Sequence, residues 1–113
     1  MESSPHPSDW LIGTWQSDKE ATLAEWSKNR SQKYLEFMEN RLGKFQRRFT
    51  TKRSFAIGTE TTSSQQYRVL WQNKDSIFIV HSSEHQEDGE LICFINPDLF
   101  RVAIGEYFKR VGT

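Results

Sequence analysis

The chain is poor in cysteine, carries no net charge and contains no long apolar run. A single cysteine among 113 residues, Cys93, excludes an intrachain disulfide. Its neighbours Ile92 and Phe94 suggest a buried structural thiol in a reducing compartment. Fifteen basic and fifteen acidic side chains cancel. That balance argues against a strongly basic nucleic-acid binder or a polyanionic tail. No apolar stretch approaches the ~20 residues needed to cross a bilayer. Met1–Ser8 has neither a cationic start nor an apolar h-region, so it does not read as a signal peptide. The expectation is a soluble cytoplasmic protein. Catalytic signatures are missing too. There is no Gly-x-Ser-x-Gly elbow, no His-Glu-x-x-His and no glycine-rich phosphate loop. The lone cysteine has no charged neighbour to activate it. The sequence therefore names no catalytic residue and no cofactor, and the chain reads as a non-enzyme.

What it has in quantity is aromatic surface: four Trp, eight Phe and three Tyr. That is enough to build one core or to line a pocket. The length corresponds to one domain. Residues 1–8, rich in Ser and Pro, read as a flexible arm, and residues 9–113 as a single domain.

Ile12–Gln16 reads as a first strand. Ser17-Asp-Lys-Glu20 has the form of a capping box, in which the Ser17 hydroxyl and the Glu20 carboxylate exchange hydrogen bonds with each other's backbone N–H. The periodicity after it predicts two short helices, about 18–28 and 32–42, with Gly43 as the stop. One continuous helix would be about 37 Å long, as wide as the domain. Leu23, Trp26, Phe37 and Met38 are expected to pack over an opening of the fold. Beyond Gly43 the chain alternates or is β-branched and aromatic. The expected strands are Lys44–Thr51, Arg53–Ile57, Gln65–Gln72, Ser76–Ser82, Glu90–Asn96, Leu99–Ile104 and Glu106–Val111. Turns are expected at Gly58-Thr-Glu, Asn73-Lys-Asp75, Glu87-Asp-Gly89, Asn96-Pro-Asp98 and Gly105-Glu106. About eight consecutive strands have two exposed edges unless the sheet closes. The fold class is therefore mainly β: an antiparallel up-and-down barrel with one or two helices between the first and second strands.

Gly13 and Trp15 on the first strand and Arg110 on the last resemble the pattern of the calycin, or lipocalin-like, group. The resemblance implies that Trp15 lies across the closed end of the barrel with Arg110 packed over it. The helices directly after the first strand resemble the helix-turn-helix lid of the fatty-acid-binding branch. That branch has ten strands and a carboxylate-binding Arg-x-Tyr on the last one. Here about eight strands are counted and the last reads Tyr107-Phe-Lys-Arg110, so fatty-acid binding is not carried over. The nearest likeness is to short bacterial lipocalin-like proteins. It implies a small apolar or amphipathic ligand inside the barrel.

Strand alternation places Tyr67, Val69 and Trp71 on one face, Phe78 and Val80 on one face of the next strand, and Ile92 and Phe94 on that of the following one. Trp26, Arg47, Tyr67 and Trp71 are the candidate ligand-binding residues. Arg47 sits between Phe45 and Phe49 and, if inward, must either pair with an acid or meet an anionic ligand. Arg47 or Arg68 would be the counter-charge for an acidic head group. The rival class is an interaction module. The basic run Arg41, Lys44, Arg47, Arg48, Lys52 and Arg53 would then present a face around Arg47–Arg53 to an acidic partner or nucleic acid. His81-Ser-Ser-Glu-His85 with Glu87 and Asp88 contains the residue types of a zinc site. It reads better as a solvated loop, and no metal is expected.

Overall fold

Period-two alternation becomes eight strands once each finds its neighbour. In the computed structural model, which describes residues 6–58 and 60–112, these are β1 (Gly13–Ser17), β2 (Gln46–Phe49), β3 (Arg53–Ile57), β4 (Thr62–Gln72), β5 (Ser76–Ser83), β6 (Gln86–Asn96), β7 (Leu99–Val102) and β8 (Tyr107–Gly112). Every strand pairs antiparallel with the next, and β8 pairs back onto β1, so the barrel is closed and has no free edge. Helices α1 (Pro7–Leu11), α2 (Lys19–Trp26) and α3 (Gln32–Glu39) complete the described chain. No helix is long and apolar enough to cross a membrane among the described residues.

The expected arm falls outside the described residues at positions 1–5, as does Thr59 of the expected Gly58-Thr-Glu turn. Pro7 and Ser8, which the sequence assigns to the arm, belong instead to α1. Proline at the first turn loses no hydrogen bond, and the Asp9 carboxylate accepts from the His6 backbone N–H. Leu11 is fully buried, so α1 forms part of the floor. Gly13 takes φ +135°, a conformation open to glycine, where the chain turns from α1 into β1.

The capping box at Ser17 does not form. Ser17 ends β1, and Asp18 caps α2 by accepting from the Ala21 N–H. The Ser17 hydroxyl is committed elsewhere. It donates to the Glu106 carboxylate and accepts from the Gly43 N–H. A β-strand residue paired with Phe108 cannot also be a helix cap. Asp18→Ala is therefore expected to cost ~1 kcal/mol through loss of the cap. Ser17→Ala should cost ~1–3 kcal/mol, because Ser17 is buried and its loss leaves the Gly43 N–H without its acceptor. Urea unfolding of the two variants checks the order.

Two other expectations change. Glu87-Asp-Gly89 is not a turn but lies within β6, and the hairpin tip moves to Glu84–His85. The reason is the packing of Phe78, whose ring lies where a Cβ on residue 89 would be, 2.5 Å from its Cζ. The Gly89 position therefore serves the sheet rather than a bend. Cys93, expected to be buried, is half-buried on the outer face between Ser76 and Arg101.

Strand direction gives the barrel two unlike ends. The turns at 50–52, 73–75 and 97–98 share one end with α1. The β3–β4, β5–β6 and β7–β8 connections share the other with α2 and α3. Near the first end the interior is apolar and filled by Trp15, Phe49, Ile77, Ile79, Ile92 and Phe100. Toward the second the polar side chains of Arg47, His81 and Glu90 enter the interior beside Phe108 and Val102.

Candidate functional site

The floor is sealed around Trp15. Its indole is fully buried, tilted against Phe100 at 4.6 Å between centroids and 6.0 Å from Phe94, and its Nε1 donates to the Leu11 carbonyl. Trp15 and Arg110 are cross-strand neighbours, and the Arg110 guanidinium lies 4.3 Å from the indole centroid. That guanidinium also donates to the carbonyls of Trp10, Ile12 and Pro97 and to the Asp98 carboxylate. Cation–π attraction and charge-assisted hydrogen bonds thus join α1, β1, β8 and the β6–β7 turn at one group.

Above this floor lies a polar network that four strands build. Arg47 on β2 points inward because it pairs with Trp15 on β1. Its guanidinium meets Glu90 on β6 through two parallel 2.7 Å hydrogen bonds. Glu90 Oε1 is also 2.7 Å from His81 Nε2 on β5, and His81 Nδ1 is 3.0 Å from Ser54 Oγ on β3. The side chains of Arg47, His81 and Glu90 are 16%, 10% and 21% exposed. Arg47 rests on the rings of Phe49 and Phe108 below it. Burial by itself would raise the Glu90 carboxyl. Hydrogen bonds from His81 and Arg47, and the charge of Arg47, outweigh it and hold the group at about 2. A cavity of about 100 Å³ adjoins the network, lined by Arg47, Ser54, Ala56, Ser63, Gln65 and His81 among others.

A second, larger cleft of about 790 Å³ opens at the helical end. Trp26, Met38, Leu42, Phe45 and Ile104 supply its apolar wall, with Arg41, Lys44, Glu60 and Glu106 among the polar residues around it. Trp26 is buried and donates to the Ile104 carbonyl. Gly105, at φ +90°, leaves room for that indole, since a Cβ there would lie 3.0 Å from Trp26 Nε1. Met38 faces this cleft as expected of the helices, but Phe37 is 58% exposed and α3 buries no residue.

The four candidate ligand-binding residues do not converge. Trp26 stands at the mouth and Arg47 in the polar chamber. Tyr67 is at the floor, where its hydroxyl donates to the Thr50 carbonyl and burial raises its pKa to about 12. Trp71 is outside the barrel, 45% exposed and stacked on Phe78. A register shift between Val69 and Trp71 inserts one residue and reverses the alternation, so Trp71 leaves the face that Tyr67 occupies. On β5 the inward set is Ile77, Ile79 and His81, and Phe78 and Val80 face out. The expected counter-charges are both engaged by acids of the chain itself: Arg47 by Glu90, and Arg68 by Glu87 on the surface, where its hydrogen bond and charge lower the Glu87 carboxyl. The basic face loses Arg47 to the interior, leaving Arg48, Lys52 and Arg53 exposed. His85 is at the hairpin tip and His81 inside, so the zinc grouping is not assembled; no cluster of metal-ligating side chains occurs among the described residues.

Ser54 and Glu90 belong to the site without having been singled out by the sequence. The signal was parity. Glu90 shares a face with Ile92 and Phe94, and His81 shares one with Ile77 and Ile79, which marks both as interior.

No protein-family model matches this chain, and no curated protein or solved structure matches it. The class it defines is architectural: a closed eight-stranded antiparallel barrel with a filled floor, a polar chamber and a helix-flanked mouth.

Proposed function

We propose that this is a lipocalin-like binding protein whose barrel mouth holds a small amphipathic ligand. The observation that carries the reading is the apolar cleft at the helical end. Its volume falls within the ~300–1,000 Å³ common for ligand sites, and one wall is a helix with no buried residue. Few buried contacts make α3 the element that opens at least cost. The chamber below is electrically balanced, because Arg47 already has Glu90. Around the cleft itself two bases, Arg41 and Lys44, are matched by two acids, Glu60 and Glu106, so no net charge favours a carboxylate head and the favoured guest is a neutral amphipath such as a long-chain alcohol or a retinoid alcohol.

Trp26 lines the cleft and reports on it. Titration with a long-chain alcohol or retinol is expected to shift Trp fluorescence at micromolar concentration, with the matching acid binding more weakly. Trp26→Phe should remove the signal, and Ile104→Glu should weaken binding tenfold or more by placing a charge in the apolar wall. Absence of any change with both alcohols sinks the reading. The interaction-module reading keeps one supporting observation, the exposed Arg48, Lys52 and Arg53 on β2 and the β2–β3 hairpin. Salt-sensitive retention on heparin without ligand binding would favour it.

A further inference from the structure

The chamber contains a line of groups that the binding reading does not use. Ser54 Oγ, His81 and Glu90 follow one another at 3.0 and 2.7 Å, with the imidazole between the hydroxyl and the carboxylate. With Nε2–H given to Glu90, Nδ1 is the nitrogen left to accept a proton from Ser54. Nucleophile, base and orienting acid are thus in hydrogen-bond sequence. The two ring nitrogens are exchanged relative to the serine-protease arrangement, but the proton path is the same. Ser54 and His81 both line the 100 Å³ cavity, which has room for a group of acetyl size beside Oγ.

We propose that Ser54 is a nucleophile toward small esters, with His81 as its general base. The Ser54 oxygen forms a bond to the ester carbonyl carbon as His81 Nδ1 takes the hydroxyl proton. The tetrahedral adduct collapses by breaking the bond to the leaving oxygen, which receives that proton and departs as alcohol or phenol. Water then attacks the acyl-serine, giving its proton to His81 Nδ1 and releasing the carboxylic acid as Ser54 regains its hydrogen. During attack, negative charge grows on the carbonyl oxygen and positive charge on His81. Arg47 lines the same cavity, and Glu90 touches the ring on which the positive charge grows. A cation beside the cavity and an anion on the ring have the signs that these developing charges require.

The test exposes the full chain to p-nitrophenyl acetate, follows phenolate release and maps the acetyl group by peptide mass spectrometry. The expected result is one acetyl on Ser54, absent in Ser54→Ala, formed ~10²-fold more slowly in His81→Gln, and absent when the chain is unfolded in urea. Ser54→Cys keeps the side-chain volume and should move the acetyl to sulfur, which covers the case in which Ser54→Ala folds poorly. Acetyl groups confined to lysines, transfer to His81 that Ser54→Ala leaves unchanged, or equal labelling of Ser54 in the unfolded chain would each overturn the assignment.

Discussion

Trp15→Ala is expected to destabilise the barrel by ~3–5 kcal/mol, the range for truncating a large buried aromatic. The indole is fully buried and touches rings from β6 and β7, so no neighbour can collapse into the space without moving a strand. The Leu11 carbonyl loses the donor that anchors α1, and Arg110 loses the face it covers. Trp15→Phe should cost less, since it keeps part of the ring packing while losing the indole N–H and its second ring. Arg110→Met should be costly for a different reason: it strips donors from three backbone carbonyls and from Asp98. Urea unfolding at neutral pH measures all three. A loss below ~1 kcal/mol for Trp15→Ala would mean that the floor does not depend on this residue.

The second large effect lies in the chamber. Glu90→Gln keeps the side-chain size and removes the charge that neutralises Arg47. Breaking a buried pair from one side typically costs ~3–5 kcal/mol, because the remaining charge has neither water nor a partner. Adding Arg47→Met to that variant should recover much of the loss, since the amide introduced by Glu90→Gln can still accept from His81 and no buried charge is left. A double variant as unstable as the sum of the singles would show that the two are not coupled. The pH dependence has a definite sign. Glu90 is held at about 2 in the folded chain against an ordinary 4.5. A depressed carboxyl contributes stability that is complete above the ordinary value and is lost as pH falls through the folded one. The contribution, on the order of 3 kcal/mol, should therefore drain away between about pH 4.5 and pH 2. Glu90→Gln should flatten that part of the stability profile.

Much of the fold could be read from local chemistry. Alternation and turn residues located β3 at its observed limits and most other strands within a few residues, and the run of eight consecutive strands implied closure. The helical pair after β1 was legible from the apolar spacing around Trp26 and Met38. The site was much less so. An inward Arg47 was expected to pair with an acid or to meet an anionic ligand, and the acid that it meets, Glu90, lies 43 positions on. Ser54 and His81 are 27 apart. Trp71 was misplaced by a single inserted residue on β4, which no composition signal marks and which reverses every face after it.

By itself the sequence determined which segments are strands and that they close, because strand period and turn chemistry act over a few residues. Tertiary structure alone decided which inward positions meet. Register brings β2, β3, β5 and β6 to a common level inside the barrel. Side chains far apart in the chain then complete one another's hydrogen bonds because, once buried, they have no water with which to do so.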